Sequence, residues 1–134
     1  MYAIKPPFAR AIFCGEKTYE FRRNIFRKPV DVVVVYMTSP ICMVIGEFDV
    51  RGVIYDQLPR LWDRTKGGAG IEKQFFFDYF CGRNHGYAIE IGNVRLYPSP
   101  MRLDEHFGLR PPQSFVYLSG RRRIPKPTEP SQKQ

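Results

Sequence analysis

The stretch CMVIGEFDVRGVIYD (residues 42–56) alternates in side-chain character along its whole length, and nothing else in the chain constrains the fold so tightly. Val44, Gly46, Phe48 and Val50 share one face, while Ile45, Glu47, Asp49 and Arg51 share the other, as the twofold period of a strand requires. Glycines within so long a strand mark expected bulges or bends of a curving sheet. Immediately before it, DVVVVYMTS (31–39) is a β-branched run whose length favours a buried strand. YAIEIGNVRLY (87–97) reads as another strand, closed by Pro98 and Pro100. MYAIK at the start and PPQSFVYL (111–118) near the end add a short first strand and a final one.

Helical patterns separate these strands. PPFARAIFCG (6–15) opens on prolines that suit a first helical turn and stops at Gly15, with Phe8, Ala9, Ile12 and Phe13 directed at a core. KTYEFRR (17–23) then alternates as a strand with a polar face. DQLPRLWDRTK (56–66) is helical, with Leu58, Leu61 and Trp62 as apolar contacts. GGAG (67–70) reads as a flexible break before a second helix, IEKQFFFDYF (71–80), which should bury Phe76 and Phe80. CGRNHG (81–86) ends that helix, and LDEHFG (103–108) is a single turn. The class is α+β. Many short strands with bend-promoting glycines favour a small closed or partly closed β-barrel decorated by short helices. An open α+β sheet is the alternative, and pattern alone does not choose between them.

A chain of 134 residues is most simply one domain with a core of its own. Its net charge of +8 is unevenly spread. Residues 1–29 carry seven basic and two acidic side chains, residues 121–134 carry five and one, and the span between them is nearly neutral. Basic surface gathered at two ends points to an anionic partner, most commonly nucleic acid. Residues 119–134 are basic and proline-rich, with Ile124 as their one apolar side chain, and are expected to be a disordered tail that adds phosphate affinity. Cys14, Cys42 and Cys81 show neither zinc-ligand nor disulfide spacing and are expected to be free thiols in the core. No ligand cluster calls for a metal or other cofactor. No apolar run reaches membrane-spanning length, so a cytoplasmic protein is expected, its oligomeric state undefined.

The sequence GEKTYEFRR (15–23) crowds Glu16, Lys17, Glu20, Arg22 and Arg23 directly behind an apolar helix. Placed on one strand face, Glu20 and Arg22 would lie about 7 Å apart, close enough to interact. Lys17 stands at the helix-to-strand turn. Arginine grips phosphate or carboxylate bidentately, and lysine adds a mobile charge.

Gly15 to Arg22 spells G-x-K-x-x-E-x-R, which resembles the signature of the ASCH domain, a relative of the PUA-like RNA-binding barrels. AIKPPFARAIFCGEKTYEFRR, YMTSP, VIGEFDV, YAIEI and PPQSFVYL follow in the order seen in small single-domain members from archaea and bacteria. The resemblance spans residues 1–118 and implies a PUA-like barrel with a cleft beside the first helix. It places Lys17 in that cleft, with Glu20 and Arg22 at the motif's acidic and arginine positions. RNA or a nucleotide-like ligand is the implied partner, held around Lys17, Glu20 and Arg22. Tyr19 is a further ligand candidate, and Gln113 and Ser114, beside two stiffening prolines, could read a ligand edge across the cleft or equally fix the last strand's entry by bonding to backbone.

Two catalytic chemistries accompany the resemblance. Some small bacterial members resemble amidohydrolases of acetylated cytidine, which pair the motif lysine with a threonine three residues later and a separate glutamate. Here Glu20 occupies the threonine position, Thr18 is out of place, and Glu72 is the nearest stand-in for the glutamate, so that assignment weakens. Other members resemble metal-independent ribonucleases, which need a base, an acid and positive charge on the phosphate. Lys17 and Glu20 are the catalytic candidates if the chain is an enzyme, with Tyr19 or Ser114 to complete the set and His85 and His106 as acids that titrate near neutrality. Tyr19, Tyr36, Trp62 and Tyr117 are candidates for base stacking.

Overall fold

A computed structural model describes residues 1–106 and Tyr117. Strand β1 (Tyr2–Ile4) leads into helix α1 (Pro6–Cys14), which starts on Pro6 and Pro7 and ends at Gly15, in the left-handed conformation at φ 90°. β2 (Tyr19–Arg22), β3 (Val32–Met37) and β4 (Met43–Gln57) follow. Next come α2 (Leu58–Thr65), a 3-10 turn (Lys66–Gly68) and α3 (Lys73–Tyr79). β5 (His85–Met101) and the one-turn helix α4 (Leu103–His106) complete the described elements. No helix among the described residues is long and apolar enough to cross a membrane.

The strands form one mixed sheet in the order β1-β3-β4-β5-β2, with β1 parallel to β3 and every other pair antiparallel. Among the described residues β1 and β2 are its edges, so the sheet is barrel-like rather than closed. The unbroken apolar run of β3 follows from having both faces covered. Val33, Val35 and Met37 pack with Tyr2, Ile4, Ala9 and Ile12 beneath α1, while Val34 and Tyr36 pack with Val44, Tyr97 and Met101 on the opposite face. A third cluster, Phe21, Leu58, Leu61, Phe76 and Phe80, seats α2 and α3 on the far half of β4 and β5.

Several sequence expectations are revised. A bulge makes Ile45 an extra residue, because Val35 pairs with Gly46 and Tyr36 with Val44. Val44 therefore leaves the Gly46–Phe48 face and joins the Tyr36 cluster. β5 runs through Pro98 and Pro100 instead of ending before them. Its register against β4 jumps from Leu96–Gly46 to Met101–Val44, and the prolines fall inside that irregular stretch, where they interrupt no regular ladder. All three cysteines are exposed, not core. They sit at the end of α1, in the turn before β4 and in the turn after α3, where the chain leaves the apolar layers. The GGAG segment is held against Lys17 and Thr18 through Gly68, Ala69 and Gly70, as described below. The final strand expected at 111–118 and the tail at 119–134 lie outside the described residues, apart from Tyr117.

Candidate functional site

The backbone fixes Lys17 before any side chain acts. Its N–H donates to the Ala11 carbonyl at 3.0 Å, fastening the turn after α1, and the Thr18 N–H donates to the Gly68 carbonyl at 2.8 Å. The loop between α2 and α3 thereby lies directly against residues 17 and 18. Gly70 has φ +66°, and a β-carbon there would stand 2.6 Å from Cβ of Lys17. Only glycine fits both the conformation and the approach.

Lys17 is 3% exposed, an unusual state for an ammonium. Its Nζ donates to the Ala69 carbonyl at 2.8 Å and lies 4.8 Å from the centre of the Phe21 ring. Burial pushes its pKa below the ordinary 10.5; the Glu20 carboxylate opposes that shift and the Arg22 guanidinium adds to it. Glu20 is 8% exposed, and its Oε2 lies 3.4 Å from Nε of Arg22. Arg22 in turn covers the ring of Tyr2, whose hydroxyl pKa is pushed up to about 12, chiefly by burial.

Lys17, Glu20 and Arg22 line one cavity of about 170 Å³. Ala3 and Ile4 of β1 form one wall and Glu20, Phe21 and Arg22 of β2 the other, with Lys17 beside them. Phe8 of α1 and Phe75 and Tyr79 of α3 close the rim. The cavity thus lies between the two edges of the sheet, where the curl of the strands brings them face to face. Three cations, Lys5, Lys17 and Arg22, and one carboxylate leave it net positive within mostly apolar walls. Such a site suits an anionic group with an attached planar or apolar part. Its volume is that of a subsite, below the usual range of about 300–1,000 Å³ for whole-ligand pockets.

Of the residues expected at the site, Lys17, Glu20 and Arg22 come together. Tyr19 packs half-buried with the α2–α3 cluster and does not line the cavity. Tyr36 is core, and Trp62 leans on Phe76 with ring centres 5.2 Å apart. The Tyr117 hydroxyl accepts the backbone N–H of Arg27 at 2.6 Å. Glu72 is exposed at the start of α3, and His85 opens β5 in a separate recess. Gln113, Ser114 and the His106 side chain lie outside the described residues. Sequence reasoning missed Tyr2, Phe8, Phe75 and Tyr79, and the Ala69 carbonyl as partner of Lys17. The usable signal was GGAG itself, whose glycines permit the close approach.

Comparison with known proteins places the chain in a family. The ASCH domain matches residues 3–99. The "ASCH domain-containing ribonuclease" of Zymomonas mobilis is 32% identical over 121 residues, covering 87% of this chain and 81% of that protein. A large ribosomal subunit protein of Ureaplasma parvum is 29% identical over 119 residues, and the chain spans 38% of that protein's length. The crystal structure of ASCH from Zymomonas mobilis superposes with a TM-score of 0.82 at 30% identity, covering 89% of this chain and 86% of that one. The chain belongs to the ASCH domain family.

Proposed function

We propose that the chain binds RNA, taking a nucleotide into the cavity at Lys17, Glu20 and Arg22. The observation that carries this reading is the nearly buried Lys17 ammonium, set beside Arg22 with Glu20 as the one carboxylate among the lining residues. A phosphate entering there would meet Lys17 and Arg22 within mostly apolar walls, where each contact counts for more than in bulk solvent. The aromatic rims of Phe8, Phe75 and Tyr79 suit the attached base or ribose. Fluorescence anisotropy with a labelled single-stranded RNA in EDTA tests this. Lys17→Met and Arg22→Met, each with native circular dichroism, should weaken binding tenfold or more. A double variant that binds like the parent would remove the cavity from the reading.

A second reading is metal-independent RNA cleavage, favoured by the name of the Zymomonas mobilis relative and by the depressed pKa of Lys17. In that reaction Glu20 would take the 2′-hydroxyl proton, and the 2′-oxygen would attack phosphorus to form a cyclic phosphate. The departing 5′-oxygen would take its proton from Lys17, while Arg22 held the phosphate charge. RNA left intact by the parent protein in EDTA supports binding alone. Cleavage that vanishes in folded Lys17→Met supports the hydrolase.

A further inference from the structure

A second recess of about 410 Å³ opens beyond Arg22, lined by Arg23, Asn24 and Arg83 with Tyr55, His85 and Tyr87 among its other walls. Tyr55 is 56% exposed, yet its ring is held in place: it stacks on His85 at 5.3 Å and 15° and touches Tyr87 at 4.7 Å. An exposed aromatic fixed in this way offers a free face without a large ordering cost. The two arginines are also held, but by neutral oxygens. Arg23 Nε donates to the Tyr79 carbonyl at 2.8 Å, and Arg83 Nη1 donates to the Arg23 carbonyl at 2.9 Å and to Asn24 Oδ1 at 3.3 Å. No carboxylate lines the recess among the described residues. Held guanidiniums facing no carboxylate form a site for phosphate.

The recess lies next to the cavity. Arg22 lines the one and Arg23, next in the chain, lines the other, while the guanidinium of Arg23 stacks over Tyr79 of the cavity rim. Across the sheet, Arg22 pairs with Tyr87 and Tyr87 with Tyr55, so the three side chains share a face in one row. We propose that this row is a second subsite for single-stranded RNA: a base stacks on Tyr55, and Arg23 and Arg83 hold its phosphate. This rests on the RNA-binding reading and adds the ligand's form, a flexible strand several nucleotides long that crosses from the Lys17 cavity over Arg22 and Arg23. A duplex cannot use it, because its bases present no free face.

The test compares the parent, Tyr55→Ser, Tyr55→Phe and Lys17→Met for binding of uridine 3′-monophosphate, an oligouridylate of about eight nucleotides and a duplex of the same length, all in EDTA. Tyr55→Ser should weaken oligouridylate binding by about 5- to 150-fold, the range for loss of one stacked base. Tyr55→Phe should restore it, and mononucleotide affinity should be unchanged in both. Tyr55→Ser with parental oligouridylate affinity, while Lys17→Met is weakened, would overturn the second subsite and leave the cavity standing. Equal losses for mononucleotide and oligomer, or parental duplex binding as tight as single-strand binding, would overturn it too. A parent that binds none of the three would remove the RNA reading itself.

Discussion

The guanidinium carbon of Arg22 lies 4.0 Å from the centre of the Tyr2 ring, and this contact joins the two edge strands of the sheet. Tyr2 stands on β1 and Arg22 on β2, at opposite ends of the strand order. Of this pair, Arg22 also lines the cavity, so one side chain both draws the edges together and serves the site. Arg22 has a structural partner in Tyr2 and an electrostatic one in Glu20, and its charge is displayed by the packing that completes the fold.

Arg22→Met separates these roles. Methionine keeps an apolar stem over Tyr2 but loses the cation–π contact, worth about 0.5–2 kcal/mol, and leaves Glu20 without its ion pair. Urea unfolding should show a loss of about 1–3 kcal/mol, while RNA affinity falls tenfold or more. A variant with the expected stability loss but parental affinity would assign Arg22 to the fold alone.

Lys17 gives the site a pH signature. Burial lowers its pKa below 10.5, so the unfolded chain holds the proton more readily than the folded one. Folding stability from this group therefore rises as pH climbs through the folded pKa toward 10.5, and the cost of the buried charge is fully present below that window. Lys17→Met lacks this dependence, although it strands the Ala69 carbonyl at a pH-independent cost of about 1–3 kcal/mol. Relative to the parent, the variant should be at its best near neutral pH and lose ground as the solution becomes alkaline. Unfolding curves whose difference stays flat across that range would contradict a depressed pKa.

Gly70→Ala tests the loop that holds Lys17. An alanine at φ +66° is strained, and its Cβ would collide with Cβ of Lys17 at 2.6 Å. Stability should fall by about 1–3 kcal/mol. RNA affinity should fall with it, although residue 70 is not among the cavity-lining residues, because Lys17 must shift. Thermal unfolding and anisotropy on the same sample check both effects, and parental values for both would show that the loop yields freely.

How far the sequence could be read depends on which interactions are local. The helix from Pro6 to Gly15 and the long alternation of 42–56 were legible, because capping, proline placement and period are properties of neighbouring residues. Strand alternation put Glu20 and Arg22 on one face, and the resemblance to the ASCH signature, not local pattern, singled out Lys17 beside them. What escaped depended on distant chain. Tyr2 reaches Arg22 only because the sheet curls, and Ala69 meets Lys17 across 52 residues. A bulge at Ile45 reverses the phase of the alternation, and no local pattern marks which residue is the extra one. Tyr55 looked like an ordinary strand residue until β5 placed His85 and Tyr87 beside it.

The opposite side of the sheet supplies a control. Arg95 bonds both Glu47 and Asp49, and Glu47 also accepts the Tyr97 hydroxyl at 2.7 Å. The Arg95 hydrogen bond holds the Asp49 carboxyl below its usual range, so this stability is present above pH 3.8 and lost as pH falls further. Arg95→Met leaves two carboxylates facing each other and should cost about 1–3 kcal/mol at neutral pH, less than for a fully buried pair. Its acid unfolding limb should be shallower than the parent's, and RNA affinity should be unchanged. Loss of affinity at parental stability would place the RNA path on this face.

Residues 121–134 carry five basic side chains and one acidic, beyond the span that matches the ASCH domain. If these charges contact phosphates, binding releases counterions, and the logarithm of affinity falls against the logarithm of salt with a slope of about −0.7 per neutralised phosphate on a single strand. Deleting 121–134 should make that slope shallower by about 2–3 while leaving the effect of Lys17→Met intact. On the proposed reading the cavity and the Tyr55 row would recognise a nucleotide's shape and stacking face, whereas the basic segment would add charge alone. A shorter chain should therefore bind more weakly at low salt yet discriminate single strand from duplex as well as before. An unchanged slope would confine phosphate recognition to Lys17, Arg22, Arg23 and Arg83.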